Sequence, residues 1–328
     1  MTRCPFKSKL SQKFEEFVEM CVASGQWNRS YDYNLHHFDR YIATCYPDSE
    51  ELTAEMLDWC ECRDTERNNT CISRTAPIRN FLKYANKRGW SNLRPLPLPV
   101  SEANSYMPHF FTQEELSAFF KECDSYVMRS YQRHKHIITL LNRLQLPVYF
   151  RLLYSSGIRT CEARWLKCSD VDFKSGVVRI LKSKSIDEHC VVLHESMLQM
   201  LRYYNQTMEQ VMPNRTYLFP DHEGKVRKAR WGEEFFRKIW YKISNERAVE
   251  YDLRSFYAVS NISKWENHGY ELSGKLLFLS RSMGHKNIRN TFEYFHLTPM
   301  LADKLKRNCS KRFNELLPQI PQDNEEYI

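Results

Sequence analysis

A chain of 328 residues is too long for one small module and too short for a large multidomain assembly, so two domains with a core each are expected. Its 42% hydrophobic content, with 19 Phe, 19 Tyr and 7 Trp, excludes a largely disordered chain. No apolar run reaches the roughly 18 residues that cross a bilayer, and the opening MTRCPFKSKLSQKFEEF lacks a secretory apolar stretch, so neither export nor membrane insertion is expected. The net charge of +8 is unevenly placed: residues 1–110 hold 14 Lys+Arg and 14 Asp+Glu, leaving 34 against 26 for residues 111–328. A basic second part points to a polyanionic partner, most simply nucleic acid.

In chain order, Phe14, Phe17, Val18, Cys21 and Val22 share one helical face, with Gly25 placed to end the helix. Leu35, Phe38, Ile42 and Cys45 repeat the pattern ahead of Pro47. A short third helix is expected near Thr53, with Met56, Leu57 and Cys60 inward, and a fourth carries Ile78, Phe81, Leu82 and Ala85 before Gly89. The run R-P-L-P-L-P at 94–99 removes backbone donors and cannot continue a helix. These features set the expected division: a helical domain over 1–92, a proline-rich linker over 93–109, and a second domain over 110–328.

That second domain opens on Thr112 and Glu115, at capping-box spacing. VVRIL at 177–181 and CVVL at 190–193 are β-branched runs that predict a small antiparallel hairpin, extended by Tyr217–Phe219. Trp231, Phe235, Phe236, Ile239, Trp240 and Ile243 resume a helical period, followed by a tail with Leu305, Phe313, Leu316, Leu317 and Ile320 on one apolar side. The fold class is therefore mainly α with a small antiparallel β-sheet. Eleven scattered cysteines without a CxxC pair fit neither a disulfide framework nor a zinc ribbon, and a reducing cytoplasm is the simplest setting. Arg227, Lys228 and Arg230 are read either as phosphate contacts or as a solvated loop.

Four points in the basic domain carry chemistry together: Arg159 in S-G-I-R-T-C-E-A-R-W-L, a lysine of the hairpin, Arg254 in Y-D-L-R-S-F-Y-A, and G-H-K-N-I-R-N-T-F-E-Y, with His285 and Tyr294. Breaking a phosphodiester without metal needs compensation of charge building on the phosphate oxygens, which two always-protonated guanidinium forks supply. A tyrosine can attack phosphorus and stay attached, and a lysine can protonate the departing oxygen. Histidine can donate to the phosphate or help to deprotonate the nucleophile. No cofactor is required.

On these residues the sequence resembles the tyrosine recombinase/integrase family over nearly its whole length. The family block G-[LIV]-R-x-x-E-x-x-x-L is matched by G-I-R-T-C-E-A-R-W-L at 157–166, which implies Arg159 as a catalytic arginine and Glu162 as its buttress. H-x-x-R-H-x-x-A is matched by Y-D-L-R-S-F-Y-A at 251–258, implying Arg254, with Tyr251 and Ser255 where the family usually has histidines. L-G-H-x-x-x-x-x-T-x-x-Y is matched by M-G-H-K-N-I-R-N-T-F-E-Y at 283–294, implying His285 and the nucleophile Tyr294. Lys184 stands at the family's usual interval before Val192; Lys182 is the alternative, on the same strand face. The stretch K-W-E-N-H-G-Y-E-L is similar to an insertion in recombinases of transposons and conjugative elements.

The resemblance implies a helical core-binding (SAM-like) domain and a catalytic domain clamping double-stranded DNA. It also implies a 3′-phosphotyrosyl intermediate, a Holliday junction and four protomers joined through the carboxy-terminal tail, although packing of the tail on its own subunit fits the sequence equally. The implied setting is the bacterial nucleoid. Two other readings stay open: a type IB topoisomerase-like enzyme, and a DNA-binding protein without catalysis.

Overall fold

In the computed structural model, which describes residues 4–102, 106–131, 137–181, 188–265 and 269–296, the first apolar stripe closes as α1 (Ser11–Ala23), with Phe14, Phe17, Val18 and Cys21 buried. Helix α2 (Arg29–Cys45) buries Leu35, Phe38 and Ile42 and starts where the Asn28 side chain accepts from the backbone N–H groups of Ser30 and Tyr31. The stripes are narrower than the sequence suggests: Val22 and Cys45, each in the last turn of its helix, are exposed. The third element is a 3₁₀ segment, Glu55–Cys60, with short-range bonds such as Leu57 N–H to the Ala54 carbonyl. Helix α3 (Asn68–Lys87) completes this core, Phe81 lying 4.5 Å from Phe14 between ring centroids. Buried Asp39 accepts from the backbone of Lys7 (2.7 Å) and Ser8 (3.0 Å), which fixes the leading segment. These elements make one unit, Met1–Ser105; a second spans Tyr106–Ile328.

In the second unit, the capping box forms as read: Thr112 N–H donates to Glu115 Oε2 (2.8 Å) and Glu115 N–H to Thr112 Oγ1 (3.1 Å), opening α4 (Gln113–Tyr131). Helix α5 (Ile137–Ser156) runs through the centre of the core, packed by α4 and by two later helices, α7 (Glu195–Val211) and α9 (Asp252–Lys264). It ends at Gly157, whose φ of +63° turns the chain into α6 (Thr160–Trp165). Strands β1 (Val177–Ile180) and β2 (His189–Val192) pair antiparallel, Val177 opposite Val192 and Ile180 opposite His189.

Tyr217–Phe219 does not extend this hairpin. Tyr217 bridges Lys167 instead, and Leu218 N–H donates to the Leu166 carbonyl. Burial of Leu218 and Phe219 against Tyr204, whose hydroxyl donates to the Leu218 carbonyl (2.6 Å), holds the segment there. After α8 (Trp231–Trp240) and α9 come α10 (Gly269–Ser282) and α11 (Arg289–His296). Ala258, Val259 and Ile262 of α9 form a small core with Leu279, Met283 and Tyr294. No helix among the described residues is long and apolar enough to cross a membrane.

Arg227 is not a solvated loop residue. It is 6% exposed, stacked on Trp231 (4.6 Å to the ring centroid), and donates through Nε to Gln145 Oε1 (2.9 Å).

Candidate active site

Gly157 ends α5 so sharply that Arg159 follows in extended conformation and caps α6, with its own residue three positions on, Glu162, folded back onto it. The Arg159 backbone N–H donates to Glu162 Oε2 (2.8 Å) and its Nη1 to Glu162 Oε1 (2.6 Å), while Nη2 donates to the Gly284 carbonyl (2.8 Å). Glu162 has no exposed side-chain surface, and these paired donors satisfy its buried oxygens. The guanidinium is thus aimed by a carboxylate on one side and a turn of the chain on the other.

Arg254, in the first turn of α9, is 2% exposed. Nη1 donates to the Gly157 carbonyl; Nη2 donates to the Met283 carbonyl (2.7 Å) and approaches His285 Nε2 at 3.0 Å. Its Nε is buried and has no hydrogen-bond acceptor among the described residues. Because a guanidinium only donates, Nε2 of His285 is the acceptor, and the ring proton sits on Nδ1, 2.8 Å from Thr291 Oγ1. Burial, and then the charges of Arg254 and Arg159, push the His285 pKa down to about 3, so the ring is neutral.

Tyr294, on α11, is 8% exposed, with its ring 6.0 Å from that of His285 and nearly parallel to it. Burial raises its pKa, against the pull of Arg254. Tyr251, at the start of α9, is 43% exposed and near enough that its charge would disfavour the Tyr294 phenolate. Ser255 is buried beneath. Arg159, Arg254, His285 and Tyr294, from four separate segments, are therefore gathered in one place; Lys184 and Lys182 lie outside the described residues.

Two features of the site carry no motif. His189, at the start of β2, lies 3.8 Å from Glu162 through Nε2, and its partner is remote in sequence, so no local pattern marks it. Tyr149 of α5 donates to Glu250 (2.6 Å), the residue before Tyr251, and no local period could pair them either.

Two groups elsewhere among the described residues have metal-like composition, and neither suits an ion. Cys62, Glu66 and Cys71 have the Arg74 guanidinium bound to Glu66. His109 turns Nε2 to Glu115 (3.1 Å) and Nδ1 to Glu246 (3.4 Å), so its two nitrogens face different carboxylates.

The sequence is 23% identical over 325 residues to a protein of Sinorhizobium fredii named integrase/recombinase y4rB, covering 94% of this chain and 99% of that one. The fold is similar to the solved structure of XerH site-specific recombinase bound to a palindromic difH substrate, at TM-score 0.58 and 16% identity over 94% of this chain and 90% of that one. It is also similar to the Tn1549 transposon integrase in complex with transposon right end DNA, at TM-score 0.57 and 14% identity over 90% and 99%. The profile of the phage integrase family matches residues 109–300, more than half of the chain and the whole of the gathered site. The chain belongs to the phage integrase family, the tyrosine recombinases, which are enzymes of site-specific DNA strand exchange.

Proposed function

We propose that this recombinase cleaves double-stranded DNA by attack of Tyr294 on the scissile phosphate, with Arg159 and Arg254 holding its nonbridging oxygens. The observation that carries this reading is the convergence of both guanidinium groups, His285 and Tyr294 on one spot, with buried Arg254 Nε lacking an acceptor among the described residues. A phosphate oxygen is the acceptor that fits. Tyr294 is a poor nucleophile while protonated, and neutral His285 presents only a lone pair at Nε2. With the phosphate bound, its charge offsets the arginines that hold the His285 pKa down; Arg254 Nη2 keeps the Met283 carbonyl but gives up its contact with Nε2, which takes the phenolic proton, and the resulting imidazolium donates to the phosphate.

Lys184, with Lys182 the alternative, protonates the departing 5′-oxygen, leaving a 3′-phosphotyrosyl link that the 5′-hydroxyl of a partner duplex attacks through a Holliday junction. Tyr251, 43% exposed and near enough for its charge to bear on Tyr294, orders the nucleophile against the phosphate. Because Arg254 and Tyr294 are both buried, α11 moves outward before attack. The first unit acts as the core-binding half of a DNA clamp, the second as the catalytic half. Four protomers assemble through the tail beyond residue 296, and the enzyme works on the bacterial nucleoid.

The test is covalent trapping on nicked suicide duplexes drawn from the DNA flanking its own gene. The expected result is an SDS-resistant protein–DNA adduct that is lost in Tyr294→Phe. Tight binding of those duplexes without any adduct overturns the reading and leaves a DNA-binding protein without catalysis. Cleavage and religation on one duplex, with no crossover between two, leaves a topoisomerase-like enzyme.

A further inference from the structure

Arg159 is held at its two terminal nitrogens by two acceptors, Glu162 Oε1 and the Gly284 carbonyl. A third side chain touches both supports. The His189 ring, 6% exposed, stands 3.8 Å from Glu162 Oε2 on one side. On the other it packs so closely on the turn at Gly284 that a Cβ there would fall 2.5 Å from ring Cε1 and 2.7 Å from Nδ1. Glu162 Oε2 already accepts from the Arg159 backbone (2.8 Å), and at 3.8 Å, beyond hydrogen-bond length, the imidazole nitrogen is a polar neighbour to a carboxylate wholly out of water. His189 also opens β2, so it joins the hairpin to the arginine.

We propose that His189 is a positioning residue for strand cleavage: wedged between the two acceptors that hold Arg159, it fixes the aim of that guanidinium through Glu162 and ties it to the β-hairpin. This rests on the reading of Arg159 as a phosphate-binding arginine. His189 touches no reacting atom; its contribution is angular, and small misplacements of a transition-state donor are expensive.

The test compares His189→Phe, which keeps a ring without nitrogens, with His189→Gln, which keeps a donor without the ring, on a suicide duplex that the wild type cleaves. His189→Leu replaces the Phe variant if that one does not fold. At saturating DNA, His189→Phe is expected to form the adduct about ten- to a hundred-fold more slowly. Its DNA dissociation constant and melting temperature stay close to wild type, and His189→Gln retains most of the rate. Wild-type cleavage by His189→Phe, or His189→Gln as slow as His189→Phe, overturns the proposal, since the first removes any role and the second shows that a polar group facing Glu162 does not restore the aim of Arg159. Arg159→Ala is run alongside: if it is inactive while His189→Phe is normal, this inference alone fails, and if Arg159→Ala cleaves normally, the reading of the site fails and the inference with it.

Discussion

Arg254 Nη2 is shared between the Met283 carbonyl at 2.7 Å and His285 Nε2 at 3.0 Å, so one nitrogen sets both the turn before the histidine and the histidine's tautomer. With Nη1 on the Gly157 carbonyl, the side chain ties the end of α5 to the start of the His285 segment. Arg254→Lys keeps the charge but not the fork. Cleavage is expected to fall by about 10²-fold or more, and stability by about 2–4 kcal/mol as two carbonyls lose their donor in a buried site. Single-turnover adduct formation and chemical denaturation measure the two effects.

The His285 environment has a signed consequence for pH. Its folded pKa of about 3 lies below the roughly 6.5 of an unfolded histidine. Between those values the unfolded chain binds a proton that the folded one refuses, so the stability this residue contributes is present above about pH 6.5 and is lost as pH falls toward 3. His285→Gln removes that titration. Thermal melts should show the wild type losing more than the variant between pH 7 and pH 5; equal losses would contradict the buried neutral imidazole.

Glu250 carries the opposite sign. Burial raises its carboxyl to about 7, opposed by the hydrogen bond from Tyr149, and Glu233 adds repulsion. A carboxyl whose folded pKa is raised keeps its proton in the folded state. Stability is therefore greatest at low pH and declines as pH rises from the ordinary carboxyl range through 7. Glu250→Gln preserves an acceptor for Tyr149 and removes the ionisation. It is expected to stabilise the chain at pH 8 by up to ~3 kcal/mol and to make no difference near pH 4.5, as read from denaturation curves at both values.

The sequence exposes local structure and the reacting groups, and it hides what depends on long-range packing. Apolar periods at Phe14, Phe17 and Val18, the Thr112–Glu115 box and the β-branched runs at 177–181 and 190–193 each act within a few residues, so their elements are legible. Arg159, Arg254, His285 and Tyr294 are legible because their chemistry needs fixed local spacing inside each segment. Tyr217 goes astray because its run fits a strand equally well beside the hairpin or beside Lys167, and the core position of Phe219 decides. Arg227 looks solvated in sequence because nothing local shows that Trp231 and Gln145 receive it. His189 and Glu250 are silent for the same reason.

Gly157 couples the fold to the site most directly. Its φ of +63° lies in the left-handed region, and a Cβ built there would sit 2.2 Å from Tyr257 Cδ1, well inside contact distance. Gly157→Ala therefore meets two separate penalties: about 1–2 kcal/mol for the backbone conformation, and a further 1–3 kcal/mol, roughly, for overpacking against a half-buried ring. The same peptide supplies the carbonyl that Arg254 Nη1 binds. A shift of the chain there re-aims the second guanidinium, and cleavage is expected to fall by about ten- to a hundred-fold. Tyr257→Ala opens the space but leaves the backbone angle unchanged. In a double-mutant cycle by chemical denaturation, Gly157→Ala should cost less in the Tyr257→Ala background than alone, by the overpacking share, while the conformational share persists. Strict additivity would mean that the ring yields freely and that the backbone angle alone demands glycine.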